Sequence, residues 1–534
     1  MSQSERELLK EADYELAPTV RERSFMQKFY LYQMLTKASD KLVITYSRLD
    51  KDGASCRKSY LIPTIQKLFP SLEQRIVGED KEDHFTLVTY YQCKNRLIEL
   101  CRKLTERGSL EEDVSEFRAL LLFFQNHYPA DLQRIMDCVF YTYEGNTIGS
   151  EIHRQFMGDT LRVSVSKLEN YARCAYRYFL EYDLRLKERK EHAFEMADVG
   201  NLYHEALARF SRHMEERDAW FKASDKEVAD TIDVAVRETF EAMEKTETFD
   251  EAREVYLLHR LKATLLRTVW ALMKQVRQGS FKPKHFEISL SEISSVSQLT
   301  YEMENQAKLI LDGKIDRVDT FENEDKVYVK IIDYKSGNNA IDFASLYYGL
   351  QIQLVYYLKE AVEGIQENVE GKEVLPGAML YYHIEDPIID AKDSGLDIET
   401  EILKELRPNG FMNDNPDNIL AIDRESSNAD FGASLVARFK KKKDGSFDSY
   451  SQVLSSEDFG LLSEFIEKKV LSVGNEIMGG KISANPYKRK NTSGCDYCPY
   501  HSICGFDLSI EGYDYKKCNL DMKKEDFFER ISNE

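Results

Sequence analysis

The chain has 534 residues, of which 42% are hydrophobic and 31% are charged. Because one core seldom accommodates this length, we expect about two or three domains of roughly 100–200 residues each. The apolar fraction excludes a disordered or collagen-like chain. No apolar run reaches the roughly 18–20 residues that a membrane span needs, and Met1–Glu7 contains no hydrophobic signal region. We therefore expect a cytoplasmic protein with no membrane partner.

The charge of the chain is strongly acidic, with 93 acidic and 73 basic side chains and a formal net charge of −20. Proteins that bind nucleic acids usually show a basic footprint, so this total argues against such a function. The excess is uneven, however. Thr160–Lys190 contains eight basic and four acidic residues, and Lys481–Cys504 contains four and one. If folding brings these two stretches together, they form a local basic patch.

Residues 1–140 show mostly helical patterning, with a strand-like segment at Lys41–Tyr46 and helical periodicity over Leu110–Tyr128. The glycine-punctuated stretch Glu144–Gly158 predicts a linker. Serines at the start of the next segment offer N-caps for a helix that carries Cys174. Helical patterning then continues, with breaks, to about Val276.

A period-two pattern follows and predicts an antiparallel hairpin. Its strands are Leu309–Val318 and Lys326–Lys335, on either side of the acidic turn Glu322–Asp325. A helix is predicted over Ile341–Val362, and an apolar strand near Ala378–His383. The centre of the chain is therefore strand-rich and is preceded and followed by helices.

The hairpin carries a carboxylate–lysine pair. Because side chains alternate along a strand, Asp333 and Lys335 lie on one face at the end of an apolar run. Two buried charges are costly unless they serve a purpose, although a plain ion pair at a strand end is the ordinary alternative. Asp316, after Gly313 on the partner strand, can share a hard cation with Asp333. Magnesium typically takes one or two carboxylates together with substrate phosphate.

Two helices and a further strand offer side chains to the same place. His204 follows Gly200 early in a helix and can bind a metal or a phosphate, although a lone histidine is more often a satisfied surface or core residue. Gln353 and Tyr357 are four residues apart and share one helix face, which by itself is ordinary amphipathic patterning. Glu287 is a further carboxylate on an incoming strand.

Nine cysteines in a cytosolic chain are not expected to form disulfides. Three of them share a loop punctuated by glycine and proline: Cys495, Cys498 and Cys504. Soft thiolates of this kind select zinc or iron–sulfur. Candidate fourth ligands are Cys518 and His501 nearby, and Cys174 more than 300 residues upstream. Zinc sites usually pair two short ligand couples, whereas three clustered cysteines and a distant one suit a four-thiolate cluster.

In chain order these residues give a histidine, an aspartate, Asp-x-Lys and Gln-x3-Tyr. This order resembles the RecB-family branch of PD-(D/E)XK nucleases, and the cysteines resemble its iron–sulfur version, most of all the AddB-type subunits of AddAB helicase–nucleases. The phrases that carry the resemblance span roughly residues 160–510: Ser164–Cys174, Gly313–Asp319, Asp333–Ser336 and Asn485–Cys504. One departure is Ala175-Tyr176, where the family usually has a proline and an aromatic; the ligand Cys174 stays in place.

The resemblance implies an α/β fold: a restriction-endonuclease-like PD-(D/E)XK domain over residues 159–534, with a mixed central sheet flanked by helices. It implies two sets of site residues. The catalytic set, with His204 as third ligand to Mg²⁺ or Mn²⁺ beside the two aspartates, is Asp316, Asp333, Lys335, Gln353 and Tyr357. The set that ligates a structural 4Fe-4S cluster is Cys174, Cys495, Cys498 and Cys504.

The segment Phe29–Tyr46 resembles the last motif of superfamily-one helicases, which makes residues 1–158 a degenerate helicase-like segment. In working motors an arginine follows the threonine of this motif and stabilises the γ-phosphate. Here Lys37 occupies that position, and lysine lacks the planar fork of arginine. Since the chain also has no Gly-x4-Gly-Lys-Ser/Thr phosphate loop, we expect no ATPase activity of its own.

The resemblance implies a magnesium-dependent DNA exonuclease that cuts the 5′-ended strand during recombinational repair of double-strand breaks. It also implies a heterodimer with an AddA-type helicase–nuclease subunit. Two alternatives stay open. A stand-alone iron–sulfur exonuclease of the CRISPR-associated type is disfavoured by the helicase-like segment and by the length. A non-catalytic DNA-end-binding module stapled by zinc is the alternative from another class.

Overall fold

The structure, a computed structural model, describes residues 6, 9–12, 16–49, 54–72, 74, 89–110, 113–187, 196–244, 252–295, 299–337, 340–389, 397–428, 433–442, 444–518 and 522–533. The chain divides into two compact units, Met1–Leu97 and Ile98–Glu534. Within the described ranges, no helix combines the length and the apolar character that crossing a bilayer requires.

The first unit contains helices α1 (Val20–Thr36) and α2 (Leu61–Leu68), and α3 (Tyr90–Arg107) includes the boundary between the units. A capping box of Thr19 and Glu22 begins α1. The strand predicted over Lys41–Tyr46 is wrong, because this described segment has no regular secondary structure. An apolar run alone does not make a strand, since its backbone groups also need a partner strand.

The helices of the second unit surround its sheets. In chain order they are α4 (Val114–His127), α5 (Pro129–Val139), α6 (Ser150–Met157), α7 (Val165–Arg173), α8 (Ala175–Tyr178), α9 (Met196–Glu216), α10 (Asp225–Glu244), α11 (Ala252–Gln278), α12 (Leu290–Ile293), α13 (Phe343–Tyr347), α14 (Gln353–Asn368), α15 (Ile398–Glu405), α16 (Pro416–Ile422), α17 (Ser456–Met478), α18 (His501–Cys504) and α19 (Lys524–Ser532). The helical prediction for Leu110–Tyr128 is confirmed by α4. Cys174, which was predicted to lie on this helix, instead follows it with extended backbone, because α7 ends at Arg173.

The strands form one large mixed sheet and two small ones. They are β1 (Thr160–Ser164), β2 (Lys282–Ser289), β3 (Thr300–Glu302), β4 (Lys308–Asp312), β5 (Lys314–Glu322), β6 (Lys326–Lys335), β7 (Glu373–His383), β8 (Asn409–Asn413), β9 (Val453–Leu454), β10 (Tyr487–Arg489), β11 (Thr492–Ser493) and β12 (Lys516–Lys517). The large sheet has the order β2-β5-β6-β7-β8-β9. The central pair β6–β7 is parallel, and β5–β6 is antiparallel.

Two predicted elements are divided in the structure, each at a glycine. The predicted strand Leu309–Val318 is interrupted by Gly313, so that β4 joins the small sheet β1-β4-β3 and β5 alone pairs with β6. A Cβ atom on Gly313 would lie 2.7 Å from the Tyr357 hydroxyl, so the close packing needs a glycine. The predicted helix Ile341–Val362 divides into α13 and α14 around Gly349, whose φ of +75° favours glycine.

Both faces of β6 are buried, and alternate residues contribute to different cores. Val329 and Ile331 pack with the cluster that includes residues of α14 and α17. Tyr328 and Ile332 pack with residues of α9, α10 and α11 on the other face. A strand covered by helices on both faces reads as a nearly continuous apolar run. The predicted mixed sheet flanked by helices is confirmed, and the strand predicted near Ala378–His383 is the C-terminal part of β7.

We expect Gly364→Ala in α14 to lower the free energy of unfolding by about 1–3 kcal/mol, as overpacking does. A Cβ atom there would lie 2.0 Å from the Ile293 carbonyl oxygen of α12. The matched control is Gly460→Ala in α17, where a Cβ atom meets nothing within 4 Å. This control should raise stability by up to about 1 kcal/mol through helix propensity. Chemical denaturation of both variants is the measurement, and equal effects would contradict the tight packing of α14 on α12.

Candidate active site

Two aspartates meet where the β5–β6 pairing ends. Arg317 pairs with Ile332, so Asp316 and Asp333 lie side by side one position further on. The backbone N–H of Tyr334 donates a hydrogen bond of 2.7 Å to Asp316 Oδ2. This bond orients the Asp316 carboxylate, and the strand register brings Asp333 beside it.

His204 of α9 and Glu287 of β2 complete a compact group of possible metal ligands, called here the ligand group. His204 Nδ1 lies 3.2 Å from Asp316 Oδ2 and 3.7 Å from Glu287 Oε1. Among the described residues, these three side chains form a group whose possible ligand atoms all lie within 4.8 Å of one another. A group of this size with oxygen and imidazole donors fits one divalent cation.

Glu287 has a backbone conformation that sequence patterning does not reveal. Its φ is +52°, which is uncommon for any residue but glycine. It lies between the strand pairs Phe286–Arg317 and Ile288–Ile315, and therefore opposite Asp316. Lys314 Nζ lies 2.7 Å from Glu287 Oε2. Backbone strain of this kind clusters at functional sites, where the surrounding structure holds the residue in place.

The protonation of the group follows from its crowded negative charge. Burial by itself lowers the pKa of His204, but Asp316 and Glu287 outweigh burial and raise that pKa to about 10. Burial and the charge of Asp316 raise the pKa of Asp333 to about 6, although Lys335 opposes them. A bound cation would compete with the proton on His204 and favour ionised Asp333.

Both oxygens of Asp333 have partners. Lys335 Nζ lies 2.6 Å from Oδ2, and Gln353 Nε2 donates a hydrogen bond of 3.0 Å to Oδ1. Tyr357, one turn further along α14, packs over Gly313. Burial raises the pKa of Tyr357, so its hydroxyl stays neutral. The structure thus brings Gln353 to the aspartate and packs Tyr357 against Gly313, the residue between β4 and β5.

A buried charge cluster lies on the opposite face of the hairpin. Arg317 donates to both oxygens of Asp319, at 2.6 and 2.8 Å, and Lys330 Nζ lies 3.0 Å from Asp319 Oδ2. Burial raises the pKa of Asp319, but the two cations outweigh it and hold the pKa below its usual range. The Arg317 guanidinium lies 5.0 Å from the centre of the Trp220 ring. This cluster ties β5 to β6 directly behind the aspartates, a role that the sequence patterning did not indicate.

The four cysteines predicted as cluster ligands influence one another. Burial, and after it the neighbouring thiols of Cys174, Cys498 and Cys504, raise the pKa of Cys495 to about 11. The chain after α7 is hydrogen-bonded to the segment that leads to the three later cysteines, because the backbone N–H of Tyr176 donates to the Ser483 carbonyl at 3.1 Å. The four thiols, called here the thiol quartet, are suitable donors for zinc or iron–sulfur.

The other two candidate ligands have different surroundings. His501 Nε2 lies 2.8 Å from the Cys495 carbonyl oxygen, so one ring nitrogen already has a backbone partner. Cys518 is buried, and apart from burial the influences on its pKa come from Lys516 and Arg489. Of the candidate fourth ligands, Cys174 is therefore the one that neighbours Cys495, whereas Cys518 is not among the thiols that influence it.

A mixed sheet with an Asp, Asp-x-Lys site at the end of its central hairpin defines a nuclease core. Residues 162–505 match the PD-(D/E)XK nuclease superfamily, and the chain belongs to this family. The resemblance inferred from the sequence is thereby confirmed.

Similarity over the whole of this chain points to a narrower group within the family. The chain is 34% identical to a protein of Lachnoclostridium phytofermentans over 541 residues, which cover 100% of this chain and 45% of the relative. A relative in Clostridioides difficile is 31% identical over 97% of this chain and 46% of its own length. One in Bacillus anthracis is 29% identical over 100% and 46%. Each is named as the B subunit of an ATP-dependent helicase/deoxyribonuclease, and the chain spans about half the length of these curated relatives.

We expect Mn²⁺ affinity to rise about tenfold for each pH unit between pH 7 and 9, because a ligand must lose its proton to bind. His204, with a pKa of about 10, carries that proton in the metal-free site. Below pH 6 the protonation of Asp333, whose pKa is about 6, weakens binding further. Isothermal titration calorimetry in buffers of different ionisation enthalpy counts the released protons.

His213→Ala serves as the control for this titration. His213 lies on α9 as well and contacts Glu238 at 3.0 Å, outside the ligand group. The control should keep the pH dependence, whereas His204→Ala should lose most of it. Affinity that does not change with pH in the unaltered protein would contradict His204 as a ligand.

Proposed function

We propose that the chain is the nuclease part of a helicase–nuclease and that it hydrolyses DNA phosphodiester bonds as an exonuclease, acting on the 5′-ended strand. The observation that carries this proposal is the meeting of Asp316, Asp333 and Lys335 in a PD-(D/E)XK core. The name shared by the relatives includes the word deoxyribonuclease, which supports DNA as the substrate.

Asp316, Asp333 and His204 would hold Mg²⁺ or Mn²⁺. The compact group around His204 and Asp316 contains Glu287 rather than Asp333, so Glu287 is a further candidate ligand. When bound, the metal polarises the phosphate and lowers the pKa of the attacking water. The three carboxylates give the site a negative charge that phosphate cannot approach until a cation offsets it.

The chain's own residues orient the reaction. The Lys335 ammonium is anchored on Asp333 at 2.6 Å. From there it positions the attacking water and offsets the negative charge that develops on the phosphate. Gln353 fixes the other oxygen of Asp333, so this carboxylate cannot rotate away from Lys335. Tyr357 packs against Gly313, the residue between β4 and β5, and thereby supports the start of β5.

We propose that the thiol quartet binds a structural 4Fe-4S cluster. Four thiolates from one distant and three clustered cysteines suit such a cluster. The link closes a loop of more than 300 residues, the type of constraint that most restricts an unfolded chain.

We further propose a division of work with a partner. Residues 1–158 form a helicase-like segment that lacks a phosphate loop, so strand separation would depend on an AddA-type helicase–nuclease subunit. The basic stretches Thr160–Lys190 and Lys481–Cys504 are joined by hydrogen bonds next to the thiol quartet. They supply local positive charge for DNA, while the net charge of −20 makes the affinity of the chain alone weak. The reaction would take place in the cytoplasm.

Lys335→Met should reduce metal-dependent degradation of linear DNA by about 10²–10³-fold, because it removes transition-state charge stabilisation. Asp333→Asn should do the same through loss of a ligand. DNA binding, followed by fluorescence anisotropy, should stay within about threefold, since a single removed phosphate contact changes affinity modestly.

Lys326→Met is the matched control for Lys335→Met. Lys326 begins the strand that Lys335 ends, and it contacts Glu373 at 3.8 Å. The control should keep full activity. Degradation that persists in both site variants would refute the site, and an unaltered protein that binds DNA ends without degrading them would favour the non-catalytic alternative. Full activity without any helicase subunit would favour the stand-alone exonuclease.

The purified protein should contain iron and sulfide and show a broad visible absorbance band. Cys495→Ser should abolish the band, because it removes a thiolate from the quartet. Cys518→Ser should leave the band intact, since this buried cysteine lies outside the quartet. Elemental analysis that finds zinc alone would contradict the proposed cluster.

A further inference from the structure

Helix α14, which carries Gln353 and Tyr357, begins without a cap of its own. The first four backbone N–H groups of a helix have no partner within the helix. The N-cap residue is Ile352, and it makes no side-chain capping bond. Isoleucine is among the poorest N-cap residues, because it has no side-chain acceptor. Another part of the chain must therefore satisfy these donors.

Glu169 of α7 supplies the missing acceptor. Its Oε1 accepts hydrogen bonds from the backbone N–H groups of Ile352, at 2.7 Å, and of Gln353, at 2.9 Å. Glu169 is only 8% exposed, so its bonds to these donors compensate for the burial of its charge. A carboxylate is also favoured at the positive end of a helix dipole. A residue 183 positions upstream thus fixes the start of α14.

The capped residue is the one that holds the catalytic aspartate. Gln353 receives Glu169 at its main chain and donates its side-chain amide to Asp333 at 3.0 Å. Burial raises the pKa of Glu169 to about 7, and the two backbone N–H groups together with the charges of Arg173 and Lys335 oppose that rise. Two consecutive hydrogen bonds therefore lead from Glu169 through Gln353 to Asp333.

The other end of α7 leads to the thiol quartet. The helix ends at Arg173, and Cys174 follows five residues after Glu169, which is about 7.5 Å along a helix. A second link joins the same regions, because Arg489 of β10 contacts Asp342 at 2.7 Å where α13 begins. The segments next to the quartet therefore make two contacts in this region: Glu169 binds the start of α14, and Arg489 binds the start of α13.

We propose that Glu169 is a positioning residue, which couples the thiol quartet to Asp333 by holding the start of α14. The inference rests on the proposed function, because Asp333 is the group to be positioned. With a metal or cluster bound, the quartet anchors the end of α7, and Glu169 keeps Gln353 aimed at Asp333. Without a bound metal or cluster, α7 loses that anchor and Gln353 loses its fixed position.

A double-mutant cycle tests the path from Glu169 to Asp333. Glu169→Ala should lower kcat about 10–100-fold, as small misplacements of catalytic groups do. KM for DNA should stay within about threefold, because the bonds of Glu169 go to the main chain at the start of α14 rather than to substrate. Gln353→Ala should have a similar effect, and the double variant should be no slower than the slower single variant. Losses that multiply would overturn the path, since they would mean independent roles.

Two further variants separate positioning from general stability. Glu169→Gln keeps a carbonyl oxygen in the same place, so it should recover most of the kcat lost in Glu169→Ala. Failure of this rescue overturns the hydrogen-bonding role. The control is Glu181→Ala, which removes a nearby carboxylate that contacts Arg177 at 3.2 Å and lies away from α14. This control should keep kcat unchanged, and an equal loss there would also overturn the proposal.

Hydrogen exchange of the full chain, read by mass spectrometry at single-residue resolution, tests the link to the quartet without any activity. The amides of Ile352 and Gln353 should exchange slowly in the unaltered protein and rapidly in Glu169→Ala and in Cys495→Ser. Amides of Val329 and Ile331 in β6 should keep their protection in both variants. Unchanged exchange at the start of α14, or loss of protection that includes β6, overturns the coupling. If the unaltered protein degrades no DNA, the proposed function fails while this measurement still decides the coupling.

Discussion

The structure depends on placing two carboxylates next to each other at the end of a buried sheet. Asp316 and Asp333 repel each other, and burial makes that repulsion stronger than it would be in water. The surroundings offset the cost with a backbone N–H on Asp316, an ammonium and an amide on Asp333, and the proton of His204. These are the groups that a bound cation and a phosphate would rearrange. The crowding of negative charge that costs free energy on folding is therefore also what makes the site receptive to a cation.

Much of this arrangement follows from local sequence rules. The period of two along β6 places Asp333 and Lys335 together, and the spacing of four places Gln353 and Tyr357 on one helix face. The order of His204, Asp316 and Asp333 along the sequence was enough to predict one shared site, because the elements that carry them are neighbours in the family fold. Cys174 and the three later cysteines were likewise predicted as a set from their spacing and the resemblance.

What the sequence could not predict depends on non-local contacts. The role of Glu287 follows from a left-handed backbone opposite Asp316, and no residue pattern encodes that register. The strand break at Gly313 reflects the approach of Tyr357 from a different helix. The role of Glu169 could not be predicted from the sequence for the same reason, since its hydrogen-bond donors are backbone groups far along the chain. Lys41–Tyr46 shows the converse error, because strand propensity was present and a partner strand was absent from the described residues around it.

The span of the thiol quartet has a consequence for the order of synthesis. Every proposed catalytic side chain precedes residue 358, whereas the last thiol of the quartet belongs to Cys504. During translation the hairpin, α9 and α14 leave the ribosome before Cys495, Cys498 and Cys504, the three later members of the quartet. A nascent nuclease domain thus has its reactive residues long before it has its closing link. Under the coupling proposed for Glu169, a nascent chain that has not yet reached these three cysteines would carry the reactive residues without the link that holds Gln353 on Asp333.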